Sequence, residues 1–335
     1  MKRIAVTLIC IPIALLVLLA AAWAALALWF RLPMDEVWRG AAAALCGLAG
    51  LLAAVSLFSR RRWWPMAAFL ALLVAVGVWW QAIKPASQAD WAPEVARQVT
   101  GTINGDMLTL TNIRDFEWKS ATDVTQNWTT KSYDLTKLRT LDIFLSYWGS
   151  PYMSHVMMSF GFEGGEYLTW SVEVRRLKGG VYSPIADMFK TDPLVIVASD
   201  ERDVVGVRAV FRGEDVQLYR MKTPPEVVKS LLLEYVQDAN ALTQHPRFYN
   251  SLTTNCATTV FKMARAAGDK LPFDWQLIVD GYLPGYLYAH GALDSRVPLA
   301  ELVARSHIDS RAQDGGLSPS FSERIRVGVP SPYGP

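Results

Sequence analysis

The chain has 335 residues, 51% of them hydrophobic and 19% charged, with 13 tryptophans and a formal net charge of +2. No basic stripe dominates any segment, which argues against nucleic acid as a partner. The apolarity is concentrated at the front, where Ile4 to Phe30 carries no charge and is long enough to span a bilayer. Further apolar runs go from Ala41 to Phe58 and from Trp63 to Trp80.

Met1-Lys2-Arg3 ahead of an apolar run containing Ala25-Leu26-Ala27 has the outline of a signal peptide. Two more spans come at once after it, so the expectation is an uncleaved first helix within a three-helix transmembrane anchor over residues 1–80. Lys2, Arg3 and the cluster Arg60-Arg61-Arg62 fall on one side of that arrangement. The positive-inside rule then puts the N-terminus in the cytoplasm and everything after Gln81 outside. Trp63-Trp64 and Trp79-Trp80 bracket the third span like aromatic belts.

Residues 81–104 read as a linker, with Pro85 and Pro93 in it, and 105–309 as one exported domain. Gly105 to Trp118 has strand-like spacing, Asp123 to Tyr133 is polar and reads as loop, and Leu138 to Trp148 shows neither a strand nor a helix period. His155 to Phe162, the loop Glu163-Gly164-Gly165, and Glu166 to Val174 make a β-hairpin. Leu194 to Ala198, Val204 to Phe211 and Asp215 to Arg220 supply further strands, the last two joined at Arg212-Gly213-Glu214. Thr223-Pro224-Pro225-Glu226 is a capping box with proline at the first helical position, and its helix should end near His245-Pro246. A second helix begins at Cys256 and stops at Gly268. The tail over 310–335, rich in Gly, Ser and Pro, reads as extended or poorly ordered. The fold class is α+β: a mixed, mostly antiparallel sheet with packed helices behind three transmembrane helices.

Cys10 and Cys46 lie in the apolar runs, so Cys256 is the only cysteine of the exported part. An unpaired thiol in an oxidising compartment points to chemistry, and a helix N-terminus is expected to stabilise the thiolate. The alternative is a small buried hydrophobe. A nucleophilic thiol needs a base and the base an orienter. His245 precedes a proline at a helix end, His290 is in a loop and His307 in a charged run; His155 begins a strand. If Phe162 and Glu166 flank the hairpin loop, His155 lies opposite Glu173 on one face, the orienter of a triad. Glu173 paired with Arg175 or Arg176 at the surface is the competing reading, as is a purely structural strand-edge histidine. No His, Cys and Asp cluster has ligand spacing, so neither a metal nor another cofactor is expected.

The segments Phe144 to Trp148, His155 to Phe162, Ser171 to Arg175, Gly213 to Arg220 and Arg247 to Asn250, leading into Thr254-Asn255-Cys256-Ala257-Thr258-Thr259, together resemble the Lnb N-terminal periplasmic domain family. Ala257 departs from the threonine the family more often shows there. The resemblance implies a permuted papain/NlpC-type thiol fold, with histidine before cysteine as also in lecithin:retinol acyltransferase-like enzymes. It implies a bacterial inner membrane and a periplasmic domain. Namesake members move a fatty acyl group from phospholipid to a lipoprotein's N-terminal amine. The first reading is therefore a thiol acyltransferase with Cys256 as nucleophile, His155 as base, Glu173 as orienter and a thioester intermediate. The Cys256 N–H and the Asn255 side chain would meet the oxyanion. Its partners would be the bilayer and a phospholipid or lipoprotein substrate, and the tyrosines of Tyr282 to Tyr288 either an interfacial lip or ordinary packing. The alternatives are an NlpC-type peptide or cell-wall amidase and a non-catalytic envelope scaffold; the oligomeric state is left open.

Overall fold

A computed structural model describes residues 2–59, 63–268 and 270–333. Arg60 to Arg62, on which the orientation expectation leans, lie outside the described residues, as do the side chains of Lys2 and Arg3. The chain divides into two compact units, one made of the N-terminal helices and Ser183–Asp192, the other of Ala86–Tyr182 and Pro193–Pro335.

In the first unit α1 (Lys2–Arg31), α2 (Glu36–Ser56) and α3 (Trp63–Ala82) coincide with the three apolar runs. All three are long and apolar enough to cross a membrane. Small residues make their seam: Ala21, Ala24 and Ala53 are buried, and a Cβ on Gly50 would stand 2.2 Å from that of Ala21. Close backbone approach of this kind is how helices associate where no water drives them together. Outward-facing Leu16, Leu45, Val74 and Val78 are exposed, as a lipid-facing surface requires. The short helix α4 (Pro184–Asp187) and the residues after it complete the unit. Phe189 stacks on Phe30 at 5.4 Å, and Lys190 Nζ donates to the Trp80 carbonyl at 2.8 Å. By position in the chain these residues lie within the sheet domain; by contact they belong with the apolar helices.

The second unit is built on a sheet of β1 (Thr100–Asn104), β2 (Met107–Arg114), β5 (Trp128–Asp134), β6 (Leu138–Tyr147), β7 (Ser154–Phe162), β8 (Glu166–Val174), β9 (Leu194–Ser199) and β10 (Asp215–Arg220). The order is β1-β2-β9-β8-β7-β6-β10, with β5 on β2. All pairings are antiparallel except β2 with β9. A separate two-stranded ribbon joins β3 (Glu117–Trp118) and β4 (Val124–Thr125). The α+β class with a mixed, mostly antiparallel sheet behind three apolar helices is thus the architecture found.

Alternation along the strands gives the sheet two inner faces. Val156, Met158 and Phe160 of β7 and Trp170 and Val172 of β8 pack with α6 (Pro225–Gln244) and α7 (Cys256–Ala266) through Leu231, Tyr235, Val236 and Met263. Met157 and Phe144 face the other way, onto α5 (Glu201–Val204) and residues near the C-terminus. α8 (Leu283–Ala289) and α9 (Leu299–Ser306) complete the first layer.

Several expectations are corrected. Asp123 to Tyr133 is not loop but contains β4 and most of β5, since β3 pairs with β4 and β2 offers β5 an antiparallel ladder. Residues 100–104 are β1 rather than linker. Val204 to Phe211 is not a strand: Asp200 caps a helical turn by accepting from Arg202 N–H, and Val207–Arg212 continues as a π-helical turn. Val204, Val205 and Val207 are buried there, so burial rather than sheet pairing explains the valine-rich composition. At α6 proline is at the first helical position as expected, but Pro224 is the cap residue and no side chain closes a capping box. The C-terminal segment is not extended: α10 (Asp309–Gly315) and α11 (Phe321–Arg326) bury Ala312, Phe321 and Ile325 on the sheet.

Candidate active site

Asn255 caps α7 with its Oδ1 accepting from Thr258 N–H at 2.7 Å, and Thr258 Oγ1 accepts from Asn255 N–H in return. That reciprocal box is why the helix starts at Cys256. The thiol is buried among the sheet residues, with Sγ 3.9 Å from Asp280 Oδ2 and 4.0 Å from the Ser154 carbonyl. The Asn255 side-chain oxygen accepts from Thr258, and one N–H of its amide donates to the Ser251 carbonyl at 2.9 Å. Asn255 therefore positions the helix start, and it also stands on the cavity lining beside Cys256.

The hairpin ladder runs from Met157 opposite Ser171 to Phe162 opposite Glu166, the register expected from the three-residue loop. Two residues beyond the end of that ladder, His155 Nε2 stands 3.1 Å from Glu173 Oε1. Ser171 lies between them on the same face. Its hydroxyl donates to Glu173 Oε1 at 2.7 Å, so toward His155 Nε2, 2.6 Å away, it is the acceptor. Nε2 therefore carries the proton, and the lone pair of the neutral ring is on Nδ1. Arg208, from the π-helical turn, adds a third donor to Glu173 Oε1 at 3.1 Å. Burial would raise the Glu173 pKa, but His155 and Arg208 beside it outweigh burial and hold the carboxyl well below its usual range. The surface alternative for Glu173 does not occur: Arg175 donates to the Val95 and Ala96 carbonyls and Arg176 pairs with Glu94.

Cys256, His155, Glu173 and Asn255 all line one cavity of about 220 Å³, together with Arg176, Arg208, Arg212, Glu214 and Asp280. Ser171, Arg208 and Asp280 are the members that reading the chain missed. Ser171 had a signal, two residues before Glu173 on one strand face. Arg208 was hidden by the strand-like run around it. Asp280 reaches the site only because the next residue is Gly281: a Cβ there would meet the Pro151 carbonyl oxygen at 2.2 Å, where the loop crosses and Ser154 N–H donates to Asp280 Oδ1 at 2.6 Å.

The thiol's electrostatics are opposite to expectation. Burial first, and the Asp280 carboxylate second, push the Cys256 pKa up to about 12, against the backbone N–H groups of Val156 and Ala257. The helix N-terminus does not win because the thiol is buried and has a carboxylate beside it. Burial likewise raises Asp280, to about 6. The resting thiol is neutral, and any attack must be assisted by a base.

The remaining histidines are elsewhere: His245 ends α6, His290 Nδ1 lies 2.8 Å from the Tyr286 carbonyl, and His307 pairs with Asp215. Among the described residues Asp215, His307 and Asp309 bring three ligand-type atoms within 4.8 Å of one another, a convergence that linear spacing did not show. None of the three lines the cavity of Cys256. Of the tyrosines after Asp280, Tyr286 is core, with its hydroxyl donating to the Pro272 carbonyl at 2.5 Å, whereas Tyr282 is exposed against Trp275.

Residues 124–281 match the family model of the Lnb N-terminal periplasmic domain. No curated protein and no solved structure matches the chain. The matched stretch runs from β4 to the loop of Asp280 and contains His155, Ser171, Glu173, Arg208 and Cys256. This stretch, carried behind three helices long and apolar enough to cross a membrane, belongs to the Lnb N-terminal periplasmic domain family.

Proposed function

We propose that the domain is a thiol acyltransferase of the bacterial periplasm, anchored in the inner membrane with its N-terminus in the cytoplasm. The observation that supports this reading is the relay from Glu173 through Ser171 to His155 Nε2, on a cavity that His155 and Cys256 both line; the base of the proposal is Nδ1. His155 Nδ1 takes the Sγ proton as sulfur bonds to the carbonyl carbon of an acyl ester. The C–O bond then breaks, and the leaving alkoxide receives the proton from Nδ1. An amine or water attacks the thioester, gives its proton to Nδ1, and the departing sulfur recovers it as a thiol. Because the resting thiol is neutral, proton removal and S–C bond formation are coupled, and the negative Glu173 stabilises the transient imidazolium.

Incubation of the full chain with phospholipid should yield a fatty-acyl adduct on Cys256, seen by intact mass and removed by hydroxylamine. The same incubation with Cys256→Ala should give none. A peptide-derived adduct instead would establish the second reading, an NlpC-type amidase, which the charged cavity wall of Arg176, Arg208, Arg212 and Glu214 favours. No adduct from either substrate class would leave a non-catalytic envelope scaffold.

A further inference from the structure

The segment Ser183–Asp192 comes between β8 and β9 in the chain and belongs by contact with the apolar helices. What it touches there is the last turn of α1 and of α3. Phe30 is the penultimate residue of α1, and Trp80 lies two residues before the end of α3. Phe189 sits against both, 5.4 Å from the Phe30 ring and 6.4 Å from that of Trp80, and Trp23 of α1 meets Trp80 at 5.4 Å. Lys190 Nζ lies 4.7 Å from the centre of the Trp80 ring while donating to the Trp80 carbonyl, and Arg31 donates to the Thr191 carbonyl at 3.4 Å. Tryptophan and cations at the end of a span mark where hydrocarbon gives way to headgroups. The segment therefore lies at the level of the bilayer interface.

Its exposed surface fits that level. Ser183 caps α4 by accepting from Ala186 N–H, and Pro184 fills the first helical position. That turn leaves Ile185 56% exposed, and Val181, two residues ahead of Ser183, is at 88% the most exposed large hydrophobic side chain among the described residues. From Arg175 to Ala186 the chain has three cations and no acidic residue. Asp187, which follows, is buried and accepts from Thr191. Single surface hydrophobes need no explanation, but two of them beside an exposed lysine at interface depth have the pattern of a membrane-surface element.

We propose that residues 178–185 form such an element: Val181 and Ile185 enter the boundary between headgroups and acyl chains, and Lys178 stands among the phosphates. The bilayer rather than a protein is the partner because the helix ends fix the depth of Phe189, and Ile185 is four residues from it in one short segment. Tyr182, between Val181 and Ser183, lines the cavity of Cys256, so along the chain the cavity wall runs directly into this element. The inference goes beyond the acyltransferase reading and holds whatever substrate the thiol takes.

The test uses the full chain reconstituted in vesicles of phosphatidylethanolamine and phosphatidylglycerol. Cys10→Ala, Cys46→Ala and Cys256→Ala remove the native thiols, and one new cysteine carries a nitrobenzoxadiazole fluorophore. Labels at Val181→Cys and Ile185→Cys should lose most of their emission to phospholipid brominated beside the headgroup and less to phospholipid brominated at the chain ends, as a depth of about 5–10 Å requires. A label at Thr130→Cys, exposed on β5, should be insensitive to both. Near-ultraviolet circular dichroism identifies a misfolded variant; the same labels then go into the wild-type background, whose three cysteines are buried. Emission at Val181 and Ile185 as insensitive as at Thr130 would overturn the proposal. So would stronger quenching from the chain ends, which puts the labels inside a span, or shielding from aqueous iodide without quenching by lipid, which means that protein covers them. An acyl adduct on Cys256 has no bearing on these outcomes, so failure here and failure of the acyltransferase reading are separate results.

Discussion

Arg326 and Arg208 are both buried guanidiniums that meet carboxylates on the side of the sheet carrying Ser159, Ser171 and Glu173, but their surroundings differ. Arg326, on α11, donates to Asp142 and Glu201 and to the Ser322 carbonyl and lies over the Tyr167 ring, 3.5 Å from its centroid. Asp142 is closed from its other side by Arg220 at 2.6 Å and Glu201 by Ser159. Burial alone would lower the Arg326 pKa, but Glu201 and Asp142 hold it above its ordinary value. Every nitrogen has a partner, and the cluster joins the C-terminal helix to the sheet. Arg208 shares Glu173 with His155 and Ser171, keeps an unpartnered nitrogen and borders a cavity. A completed charge network is structural; an incomplete one beside a thiol is the place to look for function.

The comparison breaks most sharply at the thiol. Cys256→Ala and His155→Ala should each reduce acyl transfer roughly 10³-fold or more, and the double variant hardly further, because members of one nucleophilic unit are not additive. Steady-state rates of the four proteins settle this, and multiplying losses would mean the two residues act separately. Glu173→Gln comes next. A Gln amide facing Nε2 favours the tautomer with the proton on Nδ1, so kcat should fall by about 10³–10⁴ with little change in KM. An unchanged kcat would remove Glu173 from the relay.

On the structural side, Arg326→Met leaves the buried Glu201 without its cation and should destabilise the fold by about 3–5 kcal/mol. The rate per folded molecule should hold. Urea unfolding alongside activity distinguishes the two clusters, and a loss of activity at unchanged stability would contradict the division drawn between them.

The smallest effect concerns Asp280. Its pKa is 3.8 ordinarily and about 6 in the folded chain, so between those values the folded state holds a proton that the unfolded state has released. Stability therefore falls as pH rises from about 4 to about 6 and the penalty stays constant above. Asp280→Asn should remove it, gaining at most ~3 kcal/mol at pH 7 and nothing at pH 3. The variant should also alkylate faster at Cys256 above pH 6, since a charge that raises the thiol pKa is gone. Thermal unfolding at the two pH values, with iodoacetamide kinetics, reads both; a gain equal at both pH values would mean that charge is not its source.

What the sequence determined alone is what local chemistry can determine. Uncharged runs long enough to span a bilayer specify three apolar helices whatever domain is attached to them. A three-residue loop with two glycines sets the register of β7 and β8, and register alone brings His155 opposite Glu173. The cap at Asn255 puts Cys256 at a helix start. What only the tertiary structure decided depends on partners distant in the chain. The valines before Arg212 read as strand until Asp200 caps a turn and burial on the sheet selects a π-helical path. The tail reads as disordered until Arg326 finds Asp142 and Glu201. Asp280 reaches Cys256 through a loop crossing that only glycine permits. The thiol's proton affinity depends on burial and a neighbouring carboxylate more than on the helix it begins, because desolvation is set by everything packed around a group and no stretch of sequence contains that.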